Sequence, residues 1–271
     1  MDRIVRIFEV LSANNTIKLS LLAELLDISQ VTLRKELVNL EKRGIVCRTH
    51  GYVSLDGADE TGKRIAFYYS IKRRIAKAAV QTVEEGETVM IESGSCCAIF
   101  AEELALAQKN VTIITNSVFI ANFVCKLQNI KIILLGGYFQ PESRVLVGPM
   151  TAKCCEMFYS DKFFLGADGF IPEYGFTGRD YLRVETALEI AKRAKKVFVL
   201  TEAAKFKRRG AYSLIQLDKL SGVFTDDSIN KEAEAVLQKN NILLHKVPAV
   251  DERIKWRQYP EQPPFLFTEQ H

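Results

Sequence analysis

The sequence predicts an α/β chain in two unequal parts: a small helical domain closed by a β-hairpin, then a larger domain on a mostly parallel sheet. Three observations predict it. Residues 29–51 read as a capped helix, a glycine stop and a short basic hairpin. From Gly86 onward, β-rich runs alternate with helical stretches, and each run ends in a polar or glycine-bearing loop. Between these parts, Asp56-Gly57-Ala58-Asp59-Glu60-Thr61-Gly62-Lys63 is polar and poor in apolar residues, as a domain boundary is. The expected division is 1–55, a linker over 56–65, the α/β domain over 66–246, and an irregular C-terminal extension over 247–271. That extension holds four of the seven prolines and the only Trp.

Taken in order, Ile4, Ile7, Phe8 and Leu11 form one helical face, and Leu22, Leu25 and Leu26 a second after the break Ala13-Asn14-Asn15. Asp27-Ile28-Ser29 is the short turn of a helix-turn-helix. Ser29 is a good N-cap for the third helix, because its hydroxyl accepts from otherwise unpaired first-turn amides. Leu33, Leu37 and Leu40 then make an apolar stripe, while Val31, Arg34, Lys35, Val38 and Lys42 fall on the other side. Gly44 ends the helix as a left-handed residue does. Ile45–Val53 carries two β-prone runs around a turn, which predicts a wing. A lone cationic helix is compatible with a plain solvated face, but the whole array fits a major groove of double-stranded DNA. Gln30, Val31, Arg34 and Lys35 are placed toward base edges, with Thr32, Arg48 and His50 nearer the backbone. Arg reads guanine with two donors, Gln pairs adenine, and Val meets a thymine methyl.

Bulk properties bound the rest. With 271 residues, 48% of them apolar, the chain can bury a sizeable core. Net charge is +4, and the stretch through Leu55 holds eight Lys/Arg against six Asp/Glu. DNA affinity must therefore come from placement of charge rather than from a polybasic tail. The six cysteines (47, 96, 97, 125, 154, 155) lack C-x-x-C spacing and, with three scattered histidines, argue against a metal site. No signal peptide or membrane-length apolar run is visible, so a cytoplasmic protein with no membrane association is expected. G-x-G-x-x-G and G-x-x-x-x-G-K-[ST] are both missing, and no cofactor is expected.

In parallel sheets ligands gather beyond the carboxyl ends of strands. Those ends offer Glu92-Ser93-Gly94-Ser95 with Cys96, Thr115-Asn116-Ser117, Gly136-Gly137 and Asp168-Gly169. A small-residue loop entering a helix N-terminus presents free amides and a dipole to an anion, which suits a phosphate. Lys72, Arg73, Arg74 and Lys77 read as a solvated helix face, with a second DNA-phosphate surface as the alternative. Lys205, Lys207, Arg208 and Arg209 read as an exposed loop that closes, at most, over an anionic ligand. Cys96-Cys97 is expected as buried packing, against a redox sensor at a helix N-terminus.

The run Thr32-Leu33-Arg34-Lys35-Glu36-Leu37, Leu40-Glu41 and Gly44, followed by Arg48-Thr49-His50-Gly51, resembles the winged helix-turn-helix of the DeoR family of bacterial sugar-metabolism repressors. Two departures are Tyr52 in place of the usual second wing glycine and Lys18 where Ser or Thr often caps the second helix. Further on, Glu92–Ser95, Thr115–Ser117, Leu135–Gly137, Val147-Gly148, Asp161–Gly169, Gly175–Thr177 and Lys205-Phe206 resemble the sensor domain of that family. The resemblance implies a fold like that of ribose-5-phosphate isomerase and coenzyme A transferases, and a phosphorylated-sugar effector. It also implies a phosphate at the Gly94 loop, with Asp168, Glu185 and Lys205 lining the pocket. The family often has a Thr run at Ser95-Cys96-Cys97, a Lys at Ala187, and Asp-Ser-Ser at Glu202-Ala203-Ala204. The expected protein is thus a homo-oligomeric, non-enzymatic repressor of carbohydrate genes. Two alternatives remain open. One is a sugar-phosphate isomerase or deaminase with a DNA-binding module, using Glu92, Asp168 and Glu185 for proton transfer. The other is a regulator whose sensor has lost its ligand.

Overall fold

The computed structural model describes residues 3–55 and 60–249. The first part runs α1 (Arg3–Asn14), β1 (Thr16–Lys18), α2 (Leu19–Leu26), α3 (Gln30–Lys42), β2 (Val46–Thr49) and β3 (Tyr52–Leu55). Leu33, Leu37 and Leu40 of α3 are buried against Ile7, Phe8 and Leu11 of α1 and Leu22 and Leu26 of α2, as the stripe requires. Ser29 accepts from the Thr32 amide at 3.1 Å, and Gly44 follows the helix at φ +72°. The wing is a three-stranded antiparallel sheet, β1-β3-β2. Its turn, His50-Gly51, has both residues at positive φ, the conformation a two-residue hairpin favours. Lys18 supplies no side-chain cap to α2; instead the Leu19 amide donates to the Gly51 carbonyl at 2.8 Å, so the wing caps the helix.

Two helices lead onward, α4 (Glu60–Ala66) and α5 (Tyr69–Val80). Residues 60–65, expected within a linker, are therefore helical, because Thr61 and Ile65 are buried where the two parts meet. Phe8 of α1 meets Tyr69 of α5 edge-on at 4.9 Å, and one apolar cluster runs across both parts.

The α/β part continues β4 (Thr88–Ile91), α6 (Ser95–Leu106), β5 (Val111–Thr115), α7 (Val118–Val124), β6 (Ile130–Leu134), β7 (Tyr138–Gln140), β8 (Val145–Val147) and α8 (Pro149–Cys155). Then come β9 (Ser160–Leu165), β10 (Gly169–Ile171), β11 (Gly175–Gly178), α9 (Tyr181–Ala191), β12 (Ala194–Leu200), β13 (Tyr212–Ile215), β14 (Gly222–Asp226), α10 (Lys231–Lys239) and β15 (Leu243–Val247). Seven strands form an all-parallel sheet in the order β15-β14-β12-β9-β4-β5-β6. The chain builds outward from β4 through β5 to β6, then returns to place β9 on the other flank of β4. That reversal puts a crevice beyond the ends of β4 and β9, where open α/β sheets bind ligands. The proposed extension lies outside the described residues beyond Ala249; Pro248 and Ala249 offer carbonyls to Arg74 at 2.8 Å. Among the described residues no helix is long and apolar enough to cross a membrane.

Candidate functional site

A cavity of about 340 Å³ opens at that reversal. Its floor is the loop after β4, Glu92 to Cys96, and its sides are Gly166–Asp168 after β9, Glu202 to Lys205 after β12, and Arg183 of α9. Glu92, Ser93, Gly94, Ser95, Cys96, Asp168 and Lys205 therefore come together as the sequence placed them. Gly94 sits at φ +113° and opens α6 without a side-chain cap, so the first-turn amides have no side-chain acceptor where Gly94, Ser95 and Cys96 line the cavity.

Thr115, Asn116, Ser117, Gly136, Gly137 and Glu185 do not line it. β5 and β6 lie on the far flank of β4, and their end loops serve other elements. Asn116 exchanges bonds with Leu146 of β8, and Ser117 caps α7. Gly137 is pressed so close to Thr151 of α8 that a Cβ there would lie 1.9 Å from its hydroxyl. Glu185 is exposed because two residues along a helix rotate a side chain by about 200° away from Arg183.

Six cations line the cavity (Arg64, Lys72, Arg179, Arg183, Lys205, Arg208) against four carboxylates (Glu92, Asp168, Asp180, Glu202), an excess of two positive charges. Arg183 donates to Glu92 at 3.3 Å and to the Ser93 hydroxyl at 2.9 Å, and Ser93 donates in turn to Glu92 at 2.6 Å. Burial disfavours charge on Arg183, yet Glu92 and Asp168 outweigh it and hold its pKa above the ordinary value. Arg183 Nε is buried with no partner among the described residues. Lys205 is shifted down, first by burial and then by the charges of Arg64 and Arg208, against the pull of Glu202 and Asp168. The Cys96 and Cys97 thiols are pushed well up by burial and by Glu202 and Glu92 respectively, so neither has the thiolate character of a redox sensor.

The cluster expected as a solvated face is not one. Lys72 is 1% exposed; its ammonium donates to the Arg64 and Phe67 carbonyls and lies 3.6 Å from Glu202. Arg73 is paired with Glu103 at 2.6 Å. Sequence reading missed Arg64, Lys72, Arg179, Arg183 and Glu202 as cavity residues. Lys205 and Arg208 of the second basic run face the cavity while Phe206 anchors their loop in the core.

At the other end of the molecule Gln30, Val31, Arg34 and Lys35 share an exposed face of α3, with Val31 64% exposed. Arg34 and Lys35 have no hydrogen bond or ion pair among the described residues. Thr32 is half-buried and bonded to Ser29. Arg48 is held by Glu41 through its guanidinium and its backbone amide, and these bonds hold the Glu41 carboxyl below its ordinary value. His50 stands exposed at the wing tip.

Family models match both parts: a DeoR-like helix-turn-helix domain over residues 3–57 and a DeoR C-terminal sensor domain over 68–227. The chain belongs to the DeoR family. Among its curated relatives, the HTH-type transcriptional regulator GolR of Listeria innocua is 30% identical over 85% of this chain and 92% of that one. The glycerol-3-phosphate regulon repressor of Escherichia coli is 25% identical over 88% of this chain and 95% of its own. A solved ribose-5-phosphate isomerase A from Methanocaldococcus jannaschii overlaps 51% of this chain and 54% of that one, at 19% identity and TM-score 0.39. This DeoR-family chain thus joins a DNA-binding winged helix to a sensor domain with a charged cavity.

Proposed function

We propose that this protein is a transcriptional repressor of carbohydrate-metabolism genes, released from or fixed on its operator by a phosphorylated sugar bound in the cavity. The observation that carries the ligand class is the cavity's excess of two positive charges at the uncapped start of α6. A phosphate monoester brings about −1.5 to −2 at neutral pH and accepts from exactly such donors as free amides and guanidinium groups. Relatives regulate sugar-related genes, among them the glycerol-3-phosphate regulon. Thermal unfolding of the full chain against a panel of phosphorylated sugars tests the reading. A specific, saturable rise in Tm is expected with one phosphorylated compound and not with its unphosphorylated counterpart; a flat panel sinks it.

On the DNA side, Gln30, Val31, Arg34 and Lys35 meet base edges and Thr32, Arg48 and His50 flank the backbone. Glu41 turns Arg48 into a brace between wing and helix as well. Arg34→Ala is expected to weaken operator binding by roughly 1–3 kcal/mol and to relax specificity at one base pair, measured by titration on matched and mismatched sites. Unchanged affinity and specificity would remove Arg34 from the reading face. A homo-oligomer acting in the cytoplasm is the fitting assembly, because two-fold pairing matches two half-sites. The enzyme reading is the weaker one: of its three carboxylates Glu185 is outside the cavity and Glu92 is engaged by Arg183, and no histidine among the described residues lines the site.

A further inference from the structure

The repressor reading requires that cavity and recognition helix sense each other, and two contacts place both at one point. Arg64 lines the cavity with its guanidinium 3.9 Å from Asp168, a long pair with each side chain still partly open to solvent. Arg64 is carried by α4, not by the sheet. Two residues earlier on the same helix, Gly62 lies so close to Gly44 that a Cβ would stand 2.3 Å from the Gly44 carbonyl oxygen. Gly44 is the left-handed residue that ends α3, and the Ile45 amide beside it closes the helix on Leu40. The second contact comes through α6, whose first residues line the cavity floor. About 10 Å along that helix, Glu102 grips Arg43 at 2.6 Å, and the same guanidinium lies 4.0 Å over the Phe123 ring. Two of the elements that touch the cavity, α4 and α6, therefore hold Arg43-Gly44, the C-terminal end of the recognition helix.

We propose that Arg64 belongs to the effector site, and that its exchange between Asp168 and an anionic ligand sets the position of α4 and thereby the end of α3. The inference rests on the sugar-phosphate reading for the ligand, but the coupling it describes exists without one. Arg64, Lys205 and Arg208 line the cavity with Asp168, so an anion there competes with that carboxylate for these cations, while Glu202 also draws on Lys205. The pair is long at 3.9 Å, and a partly exposed pair of that length contributes little by itself. Because α4 reaches Gly44 by backbone contact, a shift of Arg64 is carried to α3 without passing through flexible side chains. Linkage then requires that operator binding alter the cavity's affinity by the same factor.

The test is a mutational cycle in the full-length protein, read by amide hydrogen exchange over residues 40–48. Asp168→Asn, at the far end of the relay, is expected to change exchange of that segment several-fold. In an Arg64→Met background the same substitution is expected to add nothing, and Arg64→Lys is expected to restore part of its effect. An unchanged segment in Asp168→Asn, or an equal change in both backgrounds, overturns the coupling. Inorganic phosphate and the sugar-phosphate panel supply the ligand arm: Arg64→Met is expected to weaken binding about tenfold, as a lost charged hydrogen bond does. Equal binding removes Arg64 from the site. A wild type stabilised by no phosphate compound overturns the ligand reading, while the Asp168→Asn cycle decides the coupling by itself.

Discussion

Lys72→Met is expected to destabilise the protein by about 3–5 kcal/mol, the cost of stripping one partner from a buried charged group. Met keeps the length of the side chain, so little packing is lost. What is lost is the ammonium that satisfies the Arg64 and Phe67 carbonyls and faces Glu202, which is only 9% exposed. Adding Glu202→Gln is expected to recover much of that loss, since the orphaned charge disappears with it; urea unfolding of both variants measures the coupling. A pH dependence follows. Burial raises the Glu202 carboxyl, but Lys72, a backbone amide, Lys205 and the Cys96 thiol together bring it below its ordinary value. A lowered carboxylate contributes stability above the ordinary glutamate range and loses it as pH falls through the lowered value. The gap between wild type and Lys72→Met should therefore narrow in acid. A gap that is constant with pH, or a double variant as weak as the single, would show that Lys72 does not act through Glu202.

That residue also marks where sequence reading stops. The α3 helix was legible because its information is local: a hydroxyl cap, leucines at helical spacing and a glycine stop all lie within sixteen residues. The five strands nearest the sheet's middle and one edge were legible as β-rich runs ending in polar loops. β1 was not, since Thr16-Ile17-Lys18 is three residues long and exists only because β3 pairs with it. β14 and β15 were missed as well, and the small strands β10, β11 and β13 form a separate antiparallel sheet that no crossover pattern announces.

The cavity divides the same way. Glu92–Cys96 and Asp168 follow strand ends and are legible there, whereas Lys205, five residues beyond β12, is named only by the family resemblance. Thr115–Ser117 and Gly136-Gly137 also follow strand ends, but strand order decides which ends converge, and order is a tertiary property. Lys72 carries no local sign of burial: it stands among Arg73, Arg74 and Lys77 in what looks like one charged face. What encloses it is the end of α4, where the Arg64 and Phe67 carbonyls receive its ammonium, and that depends on residues 60–66 being helical rather than a connector. Arg183 was hidden by a helix offset of two, which sends Glu185 to solvent.

Phe8→Ala is expected to remove about 3–5 kcal/mol, as emptying a buried aromatic site does, and to lower Tm by roughly 10 °C for a chain of this size. The informative part is where that loss falls. Phe8 is 1% exposed in the core of the winged helix, and its ring also meets Tyr69 at 4.9 Å and 70°, on the first residue of α5. Ile7 and Leu11 on one side and Ile65, Ala66 and Ile75 on the other belong to the same apolar cluster. Two parts that share a core unfold together, so scanning calorimetry of the full chain should show a single transition displaced as a whole. If the winged helix were an independent unit, the variant would lower one transition and leave the α/β part at its wild-type temperature. The distinction bears directly on regulation. Tyr68, the residue between Phe67 and Tyr69, lines both the charged cavity and a second hollow against Val5 and Glu9 of α1. A shared core makes that corner one wall, with the charged cavity on one face and the DNA-binding helices on the other. Loosening it at Phe8 should then weaken not only stability but the effect of ligand on operator affinity, although Phe8 touches neither.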